Sequence, residues 1–341
     1  MSTKISKRVF GAMPDGTPVH EYEFLDTNGA SMRVTNYGGI VTAINVPDKN
    51  STFTNVVLGF ETFEPYLAAH PFFGAITGRV AGRLPRGQFT IDGKTYQLAL
   101  NSNGINHIHG GTVGLDKRLW NAEIIPQPEG ETLRLTYTSP DGEEGYPGTM
   151  HIAVVYSFNN GVFTMQTETT TDKPTIVALT NHSYFNLAGR GDILAHEAQV
   201  FADKYFTCED ENRTPSPNYS PVEGTPADWR KPRTIGDAVR DGIFQAHGDF
   251  YFLGAEPKTR EAAIVHDPAS GRTLRVESDE SCLQFYFGSH LDGSEGYPKY
   301  SGFCLECQDY PAAANRPDLG DIVLHPGETR RRETRYIFGA N

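Results

Sequence analysis

Apolar residues recur at every second position along much of this chain, and that period restricts it to β structure. Two such segments, Gln88–Ile91 and Lys94–Leu100, flank the turn Asp92-Gly93. A second pair, His151–Phe158 and Val162–Thr170, flanks an Asn-Asn-Gly turn. Asp-Gly and Asn-Gly suit two-residue hairpin turns because both residues tolerate a positive φ. The sequence therefore predicts two antiparallel hairpins.

The rest of the chain follows the same pattern, with turn residues at short intervals. Further strands are predicted at Arg134–Thr138, Thr175–Leu179, Leu283–Gly288 and Gly302–Gln308, and the helical pattern at Ile235–Val239 is one turn long. The 35 glycines and 22 prolines are typical of many short strands joined by irregular connections. The predicted fold class is all-β, a large and mostly antiparallel β-sandwich.

Length permits two average domains, but β-sandwiches often extend well beyond that average as one unit. No internal repeat and no linker-like segment interrupts the 341 residues. The proline-rich segment Thr214–Pro232 contains Tyr219 and Trp229, so we expect a loop packed on the body of the protein rather than a domain boundary. A single domain over residues 1–341 is predicted.

Charge and cysteine content argue against several classes of function. The net charge of -12 arises from 42 acidic and 30 basic residues mixed throughout, without the basic stripe that nucleic acid binding needs. Residues 1–10 lack a signal-peptide core and no apolar run reaches 18 residues, so we expect a cytoplasmic protein with no membrane partner. Cys304 and Cys307 form an isolated C-x-x-C, but strand geometry places them on opposite faces, which disfavours a metal or redox pair.

A carboxylate stands inside an otherwise uncharged strand segment, Phe303–Gln308. Alternation places Phe303, Leu305 and Cys307 on one face of this strand, and Cys304, Glu306 and Gln308 on the other. A carboxylate removed from water is costly unless neighbours stabilise it or its pKa shifts. Glu306 is therefore a candidate functional residue.

Three histidines accompany this glutamate. His107 and His109 are two residues apart, so a strand would turn both to one side, and Gly110-Gly111 then allows close approach of a ligand. His182 follows a predicted strand at its exit, where sites often lie on rigid scaffolds. A glutamate base and a histidine acid could move protons between two oxygens of one substrate. The same residues, His107, His109, His182 and Glu306, could instead bind a divalent metal, and spacing alone leaves both chemistries open.

Several sequence blocks in order resemble the aldose 1-epimerases, or galactose mutarotases, over nearly the whole chain. The blocks are Asn36–Gly39, Gly78–Arg83, His109–Gly111, Asp141–Gly148, Thr180–Leu187 and Ser301–Glu306. The resemblance implies a β-supersandwich with a sugar cleft, an isomerase acting on free aldoses such as glucose and galactose, and no cofactor or metal. It implies a monosaccharide as partner and a monomer or homodimer. A non-catalytic sugar-binding module on the same fold is the alternative from a different class.

The resemblance also implies residue roles. The glutamate matching Glu306 removes a proton from the C1 hydroxyl of a pyranose, and the histidine matching His182 protonates the ring oxygen. The ring opens, the C1 bond rotates and closure gives the other anomer. The histidine matching His109 holds the substrate near its ring oxygen. The remaining substrate-binding positions implied are Gly82, Arg83, Ser183, Tyr184, Asp249 and Gln284.

Three departures from the family pattern concern sugar selection. Gly82 replaces an asparagine before the arginine, and Phe250 replaces a histidine after Asp249. Asp309-Tyr310 replaces Asn-Trp near the carboxyl end. Gly82 is expected to leave room and Phe250 an apolar wall. The sequence therefore predicts activity on several aldoses, with a weaker preference for galactose.

Overall fold

The computed structural model describes residues 2–242 and 249–341, in which strands dominate the regular structure. The strands of the first half are β1 (Lys4–Ala12), β2 (Pro18–Leu25), β3 (Ser31–Thr35), β4 (Val41–Pro47), β5 (Phe53–Asn55), β6 (Ile76–Thr77), β7 (Arg83–Leu84), β8 (Gln88–Ile91), β9 (Lys94–Gln97), β10 (His107–Ile108), β11 (Asn121–Ile125), β12 (Thr132–Ser139), β13 (Met150–Asn159) and β14 (Val162–Thr171). Those of the second half are β15 (Thr175–Ile176), β16 (Thr180–Asn181), β17 (Tyr184–Phe185), β18 (Glu197–Val200), β19 (Lys204–Cys208), β20 (Pro215–Pro221), β21 (Arg233–Thr234), β22 (Asp249–Phe252), β23 (Arg260–His266), β24 (Arg272–Ser278), β25 (Cys282–Tyr286), β26 (Phe303–Gln308), β27 (Val323–Leu324) and β28 (Arg330–Ala340).

Helical segments are short. They are α1 (Glu64–Leu67), α2 (Ile235–Arg240) and 3₁₀ turns at Pro85–Gly87, Leu115–Lys117, Glu143–Gly145, Pro311–Asn315 and Pro317–Leu319. Helix α2 begins where Thr234 Oγ1 accepts a hydrogen bond from the Asp237 amide at 3.0 Å, which confirms the predicted helical turn there. None of the described helices is long and apolar enough to cross a membrane.

Antiparallel sheets of three sizes carry the architecture of the described residues. The largest has nine strands in the order β11-β12-β13-β14-β28-β24-β23-β18-β21, the second six in the order β17-β26-β25-β22-β19-β20, and the third five in the order β1-β2-β3-β4-β5. Shorter pairings join β10 to β7, β15 to β27, β16 to β6 and β8 to β9. The all-β, mostly antiparallel prediction is confirmed.

One large cluster of buried side chains joins the faces of these three sheets. Leu135 and Phe163 come from the nine-stranded sheet, Leu283 and Phe285 from the six-stranded sheet, and Phe24 from the five-stranded sheet. All five are fully buried. Burial of apolar surface at roughly 25 cal/mol per Å² is the main force holding such layers together. The six-stranded sheet therefore has one face fixed in the core, which leaves its other face to form a site.

Both predicted hairpins are confirmed, although β9 ends at Gln97 and the strand predicted to continue to Leu100 is wrong beyond that residue. Strands β8 and β9 meet at Asp92 and Gly93, and β13 and β14 at Asn160 and Gly161, with a positive φ at each of these residues. The strand predicted over Thr175–Leu179 is wrong beyond residue 176. There the backbone bonds alternate between separate segments, since the Val177 amide donates to Ile322 and the Ala178 amide to Arg79.

The proline-rich segment is only partly a loop. Residues Pro215–Pro221 form β20 at the edge of the six-stranded sheet, where prolines are tolerated because one side of an edge strand needs no amide donors. Trp229 is buried as expected, whereas Tyr219 stays 40% exposed. The prediction that this segment packs on the body holds, and the prediction of a loop fails over β20.

Candidate active site

The face of the six-stranded sheet that points away from the core forms the floor of a cavity of about 660 Å³. Strand β26 lies between β17 and β25 in this sheet. Its residues Phe303 and Leu305 pack in the main core, whereas Glu306 and Gln308 line the cavity. The predicted division of this strand into an apolar and a polar face is confirmed.

Glu306 is buried at the bottom of this cavity, with only 3% of its surface exposed. Across the sheet it stands opposite Gln284 of β25. Burial raises the pKa of Glu306 to about 8, against the opposing effect of the Arg83 guanidinium. Its Oε2 has no hydrogen-bond partner among the described residues. A carboxyl oxygen in this condition is prepared to bind a polar group that enters the cavity.

His182 lies on the short connection between β16 and β17. Backbone bonds fix it, because its amide donates to Ala75 at 2.9 Å and its carbonyl accepts from Gly74 at 3.0 Å. Its Nε2 stands 3.6 Å from Glu306 Oε2. Burial lowers the pKa of His182 to about 4. An imidazole and a carboxyl group thus face each other across the floor of the cavity.

His109 reaches the same place by a turn of the backbone. It follows β10 with a φ of 50°, and its Nδ1 accepts a hydrogen bond from the Gly82 amide at 3.2 Å. Its ring centroid is 5.1 Å from that of His182. Burial, aided by the His182 ring, lowers the pKa of His109 well below its usual value. The next residue must be glycine, since a Cβ at Gly110 would lie 2.0 Å from a backbone oxygen.

His107 takes no part in the cavity, so the prediction that it faces the same side as His109 is wrong. Its Nδ1–H donates to the Ala99 carbonyl at 2.8 Å. Its Nε2 then accepts from the Tyr146 hydroxyl, also at 2.8 Å. Alternation fails because the chain leaves the extended conformation at His109. His107 is a structural residue that holds the loop under the site.

The other predicted polar residues lie in the cavity wall. Arg83, Asp249 and Gln284 all line it, and Gln284 Nε2 donates to the Asp249 carbonyl at 3.2 Å. Burial raises the pKa of Asp249 to about 7, while Arg213 opposes that rise. Burial also lowers the pKa of Arg83. A cation, a carboxyl group and an amide in one wall suit the donor and acceptor pattern of sugar hydroxyls.

Three further predicted positions have different outcomes. Tyr184 lines the cavity, with its ring centroid 5.2 Å from that of His182. Ser183 does not line it, because its hydroxyl donates to Asn181 Oδ1 at 2.6 Å and it is buried behind the site. Gly82 lines the cavity but leaves no room, since a Cβ there would lie 2.7 Å from Gln308 Nε2. The expectation of open space at Gly82 is therefore wrong.

Sequence patterns missed several lining residues: Phe72, Phe206, Arg213, Tyr286 and His290. Tyr286 could have been found, because it lies two residues after Gln284 on β25 and so shares its face. Phe72 has a positive φ of 60°, which nothing in the sequence indicates. Phe250 lines the wall as expected of an apolar neighbour.

Donor atoms of His109, His182 and Glu306 lie within 4.8 Å of one another. Two imidazoles and a carboxylate form a donor set that divalent zinc accepts. His107 is excluded from this set by its bonds to Ala99 and Tyr146. The predicted metal-binding quartet is therefore reduced to three residues, which are also the groups suited to proton transfer.

Comparison with known proteins extends the similarity over the whole fold. The family model described as aldose 1-epimerase matches residues 21–337. The chain is 41% identical to the galactose mutarotase of Rattus norvegicus over 98% of each chain, and 38% identical to that of Sus scrofa with the same coverage. Its fold is similar to the crystal structure of galactose 1-epimerase from Lactobacillus acidophilus, with a TM-score of 0.87, 29% identity and complete coverage of both chains.

Proposed function

The chain belongs to the aldose 1-epimerase family and is a mutarotase, and we propose that Glu306 and His182 form its proton-transfer pair. The observation that supports this pair is the 3.6 Å approach of His182 Nε2 to Glu306 Oε2 on the floor of the cavity. Both groups are nearly fully buried, so a bound sugar would exclude the remaining water. As a mutarotase the protein is an isomerase whose substrate is a small sugar.

In the proposed reaction the pair removes a proton from one oxygen of the hemiacetal carbon C1 and gives a proton to the other. Glu306 as carboxylate takes the proton of the C1 hydroxyl, and the electrons of that O–H bond form the C1 carbonyl. The C1–O5 bond breaks, and O5 receives the proton on His182 Nε2. Rotation about C1–C2 presents the other face of the aldehyde, and the reverse transfers close the ring.

The proton content of the free pair fits this cycle. With a raised pKa at Glu306 and a lowered pKa at His182, the two groups together carry one proton near neutral pH, and in the free pair that proton is on Glu306, so it must pass to His182 before the ring opens. The reaction needs one proton on the pair at every stage, so no proton has to be gained from or lost to solvent during turnover. Two interacting groups of this kind titrate as a unit rather than separately.

The substrates we propose are free aldoses such as glucose and galactose. Relatives carry the name galactose mutarotase, and Arg83, Asp249 and Gln284 line the cavity of this chain with groups that could bond sugar hydroxyls. We also propose that catalysis needs no cofactor, that residues 1–341 form a single domain, and that the protein works in the cytoplasm. Its four cysteines are unpaired, as in a reducing compartment.

Polarimetry on freshly dissolved α-D-glucose tests the pair. Glu306→Gln preserves shape and removes the base, so kcat should fall by ~10² to 10⁴-fold with the fold unchanged. Glu280→Gln is the matched control, because Glu280 is an equally buried glutamate outside the cavity, and it should keep kcat. Near-normal turnover by Glu306→Gln would contradict the assignment.

The clustered donors of His109, His182 and Glu306 keep a metal-dependent reaction as the second candidate. Dialysis against a chelator decides between them. The proposed mechanism expects unchanged kcat after dialysis. Activity that is lost and then restored by one particular divalent ion would favour the metal enzyme.

A further inference from the structure

A thiol stands on the far side of the proposed catalytic imidazole. Cys304 lies two residues before Glu306 on β26, so both side chains leave the same face of the strand. Its Sγ is 3.7 Å from His182 Nδ1, while His182 Nε2 faces Glu306. Cys304 is fully buried and does not line the cavity. The imidazole is thus held between a sulfur and a carboxyl group.

We propose that Cys304 is a positioning residue whose sulfur accepts the His182 Nδ1–H and so keeps Nε2 as the nitrogen that exchanges protons. The inference rests on the proposed role of His182. Once Nε2 has given its proton to the ring oxygen, the neutral imidazole must carry its remaining proton on Nδ1. The opposite tautomer would present an N–H where the ring-closing step needs a lone pair.

A sulfur suits this position because it accepts weakly and stays neutral. Burial raises the pKa of the Cys304 thiol well above its usual value, so it does not ionise. A carboxylate behind the imidazole would stabilise the imidazolium and weaken it as an acid. A thiol orients the ring without that cost, because sulfur is a weak acceptor and carries no charge.

The remaining neighbours of the ring do not oppose this tautomer. The Phe72, His109 and Tyr184 rings pack around His182 with centroids 5.7, 5.1 and 5.2 Å away. The backbone carbonyl of His182 itself acts as a second acceptor and favours the protonated ring. With Nδ1 beside the sulfur, Nε2 is the ring nitrogen that faces Glu306 on the floor of the cavity.

Nitrogen NMR of ¹⁵N-histidine-labelled protein tests the proposal directly. The His182 signals are assigned by their loss in His182→Gln. Neutral His182 in the unmodified protein should be the Nδ1–H tautomer. Cys304→Ala should increase the Nε2–H form and lower kcat about tenfold at unchanged KM, as expected for loss of one hydrogen bond worth about 1.4 kcal/mol. Cys304→Ser, whose hydroxyl can accept, should keep the tautomer and stay within about threefold of the unmodified kcat.

Cys307→Ala is the matched control. Cys307 lies on the same strand and is equally buried, but its thiol points into the main core, so its loss should leave tautomer and kcat unchanged. An Nε2–H tautomer in the unmodified protein, or a Cys304→Ala variant indistinguishable from Cys307→Ala, would overturn the proposal. Should Cys304→Ala fail to fold, the unmodified tautomer and Cys304→Ser still decide. Turnover retained by His182→Gln would instead refute the proposed role of His182 as the acid. This result is a kinetic one, so it is distinct from the tautomer that the NMR spectra report.

Discussion

Two buried glutamates, Glu306 and Glu280, have similar burial but different surroundings. Each is at most 4% exposed, and burial raises the pKa of Glu306 to about 8 and that of Glu280 to about 7. Glu280 Oε2 lies 3.5 Å from Arg332 Nε, and Arg332 also approaches Asp309 at 3.6 Å. Arg330 adds a second contact to Asp309. We call Glu280, Asp309, Arg330 and Arg332 the ionic cluster.

The difference shows that a raised carboxyl pKa does not by itself mark an active site. In the ionic cluster the protein supplies compensating cations, so the acidic groups are stabilised internally. Neither Glu280 Oε2 nor Glu306 Oε2 has a hydrogen-bond partner among the described residues, but Glu306 Oε2 faces a neutral histidine and its side chain lines the cavity, where a ligand can reach it. A functional carboxyl group is therefore distinguished from a structural one by the group that faces it and by its access to the cavity. Substitutions in the cavity should lower turnover and spare stability, whereas substitutions in the ionic cluster should lower stability and spare turnover.

The largest effect is expected at the histidine of the cavity. His182→Gln removes the proposed acid, so kcat should fall by ~10² to 10⁴-fold while the free energy of unfolding changes little. His107→Gln is the matched control, because His107 is equally buried but bonded only to Ala99 and Tyr146 among the described residues. It should lower the free energy of unfolding and spare kcat. Polarimetry measures kcat, and urea unfolding measures the free energy of unfolding. If His107→Gln lowered kcat and His182→Gln spared it, the assignment of His182 to catalysis and His107 to structure would be contradicted.

In the ionic cluster, Arg332→Leu should give the opposite result. Removing one partner leaves Glu280 and Asp309 less compensated, so the free energy of unfolding should fall by about 3–5 kcal/mol, with kcat of the folded protein unchanged. The pKa of Glu280 already lies above its ordinary 4.5, so folding favours its protonated form and stability decreases as pH rises toward about 7. The loss caused by Arg332→Leu should therefore be larger at pH 8 than at pH 5. Denaturant unfolding at both pH values tests this, and equal losses would refute it.

Sequence patterns predict the parts of this molecule that depend on local rules. Hairpin turns at Gly93 and Gly161 follow from their own backbone preferences, and the two faces of β26 follow from alternation. Glu306 was identifiable because a charge is unusual in an apolar strand. His182 was identifiable from its place at a strand exit and from the family resemblance.

The rest depended on long-range packing that no local pattern encodes. The positive φ at His109 separates it from His107, which alternation placed on the same side. Ser183 turns to Asn181 rather than to the cavity, and Gln308 fills the space beside Gly82. The family resemblance gave positions without side-chain directions, so these three outcomes required the structure.

The pH dependence of turnover gives an intermediate test of the comparison. The pair is active with one proton, so kcat/KM should fall below about pH 4, where His182 also protonates, and above about pH 8, where Glu306 loses its proton. Glu280→Gln should leave the alkaline fall in kcat/KM at the same pH. If that fall moved in Glu280→Gln, the titrating group would be Glu280 of the ionic cluster and not Glu306. Burial raises the pKa of Asp249 in the cavity wall to about 7, and Asp249→Asn removes this titration from the profile. The spontaneous rate of anomer interconversion is subtracted at each pH.

The smallest effect concerns the shape of the cavity wall at Gly82. Gly82 and Gly93 have similar positive φ values of 71° and 76°, but a Cβ at Gly93 would meet nothing within 4 Å. Replacement by alanine should therefore cost each about 1–2 kcal/mol of stability from backbone strain. Only Gly82→Ala also displaces the Gln308 amide, whose Nε2 donates to the Ala81 carbonyl at 2.9 Å.

Gln308 lines the cavity, and we propose that its amide makes one hydrogen bond to the sugar. Gly82→Ala would shift that amide away, so we expect KM for galactose and glucose to rise about three- to tenfold at nearly constant kcat. Gly93→Ala should leave KM unchanged. It is the control for the backbone strain that both variants share. Polarimetric KM values for both sugars and for xylose provide the measurement. If both variants change KM equally, the wall beside Gly82 does not contact the substrate, and the effect belongs to strain alone.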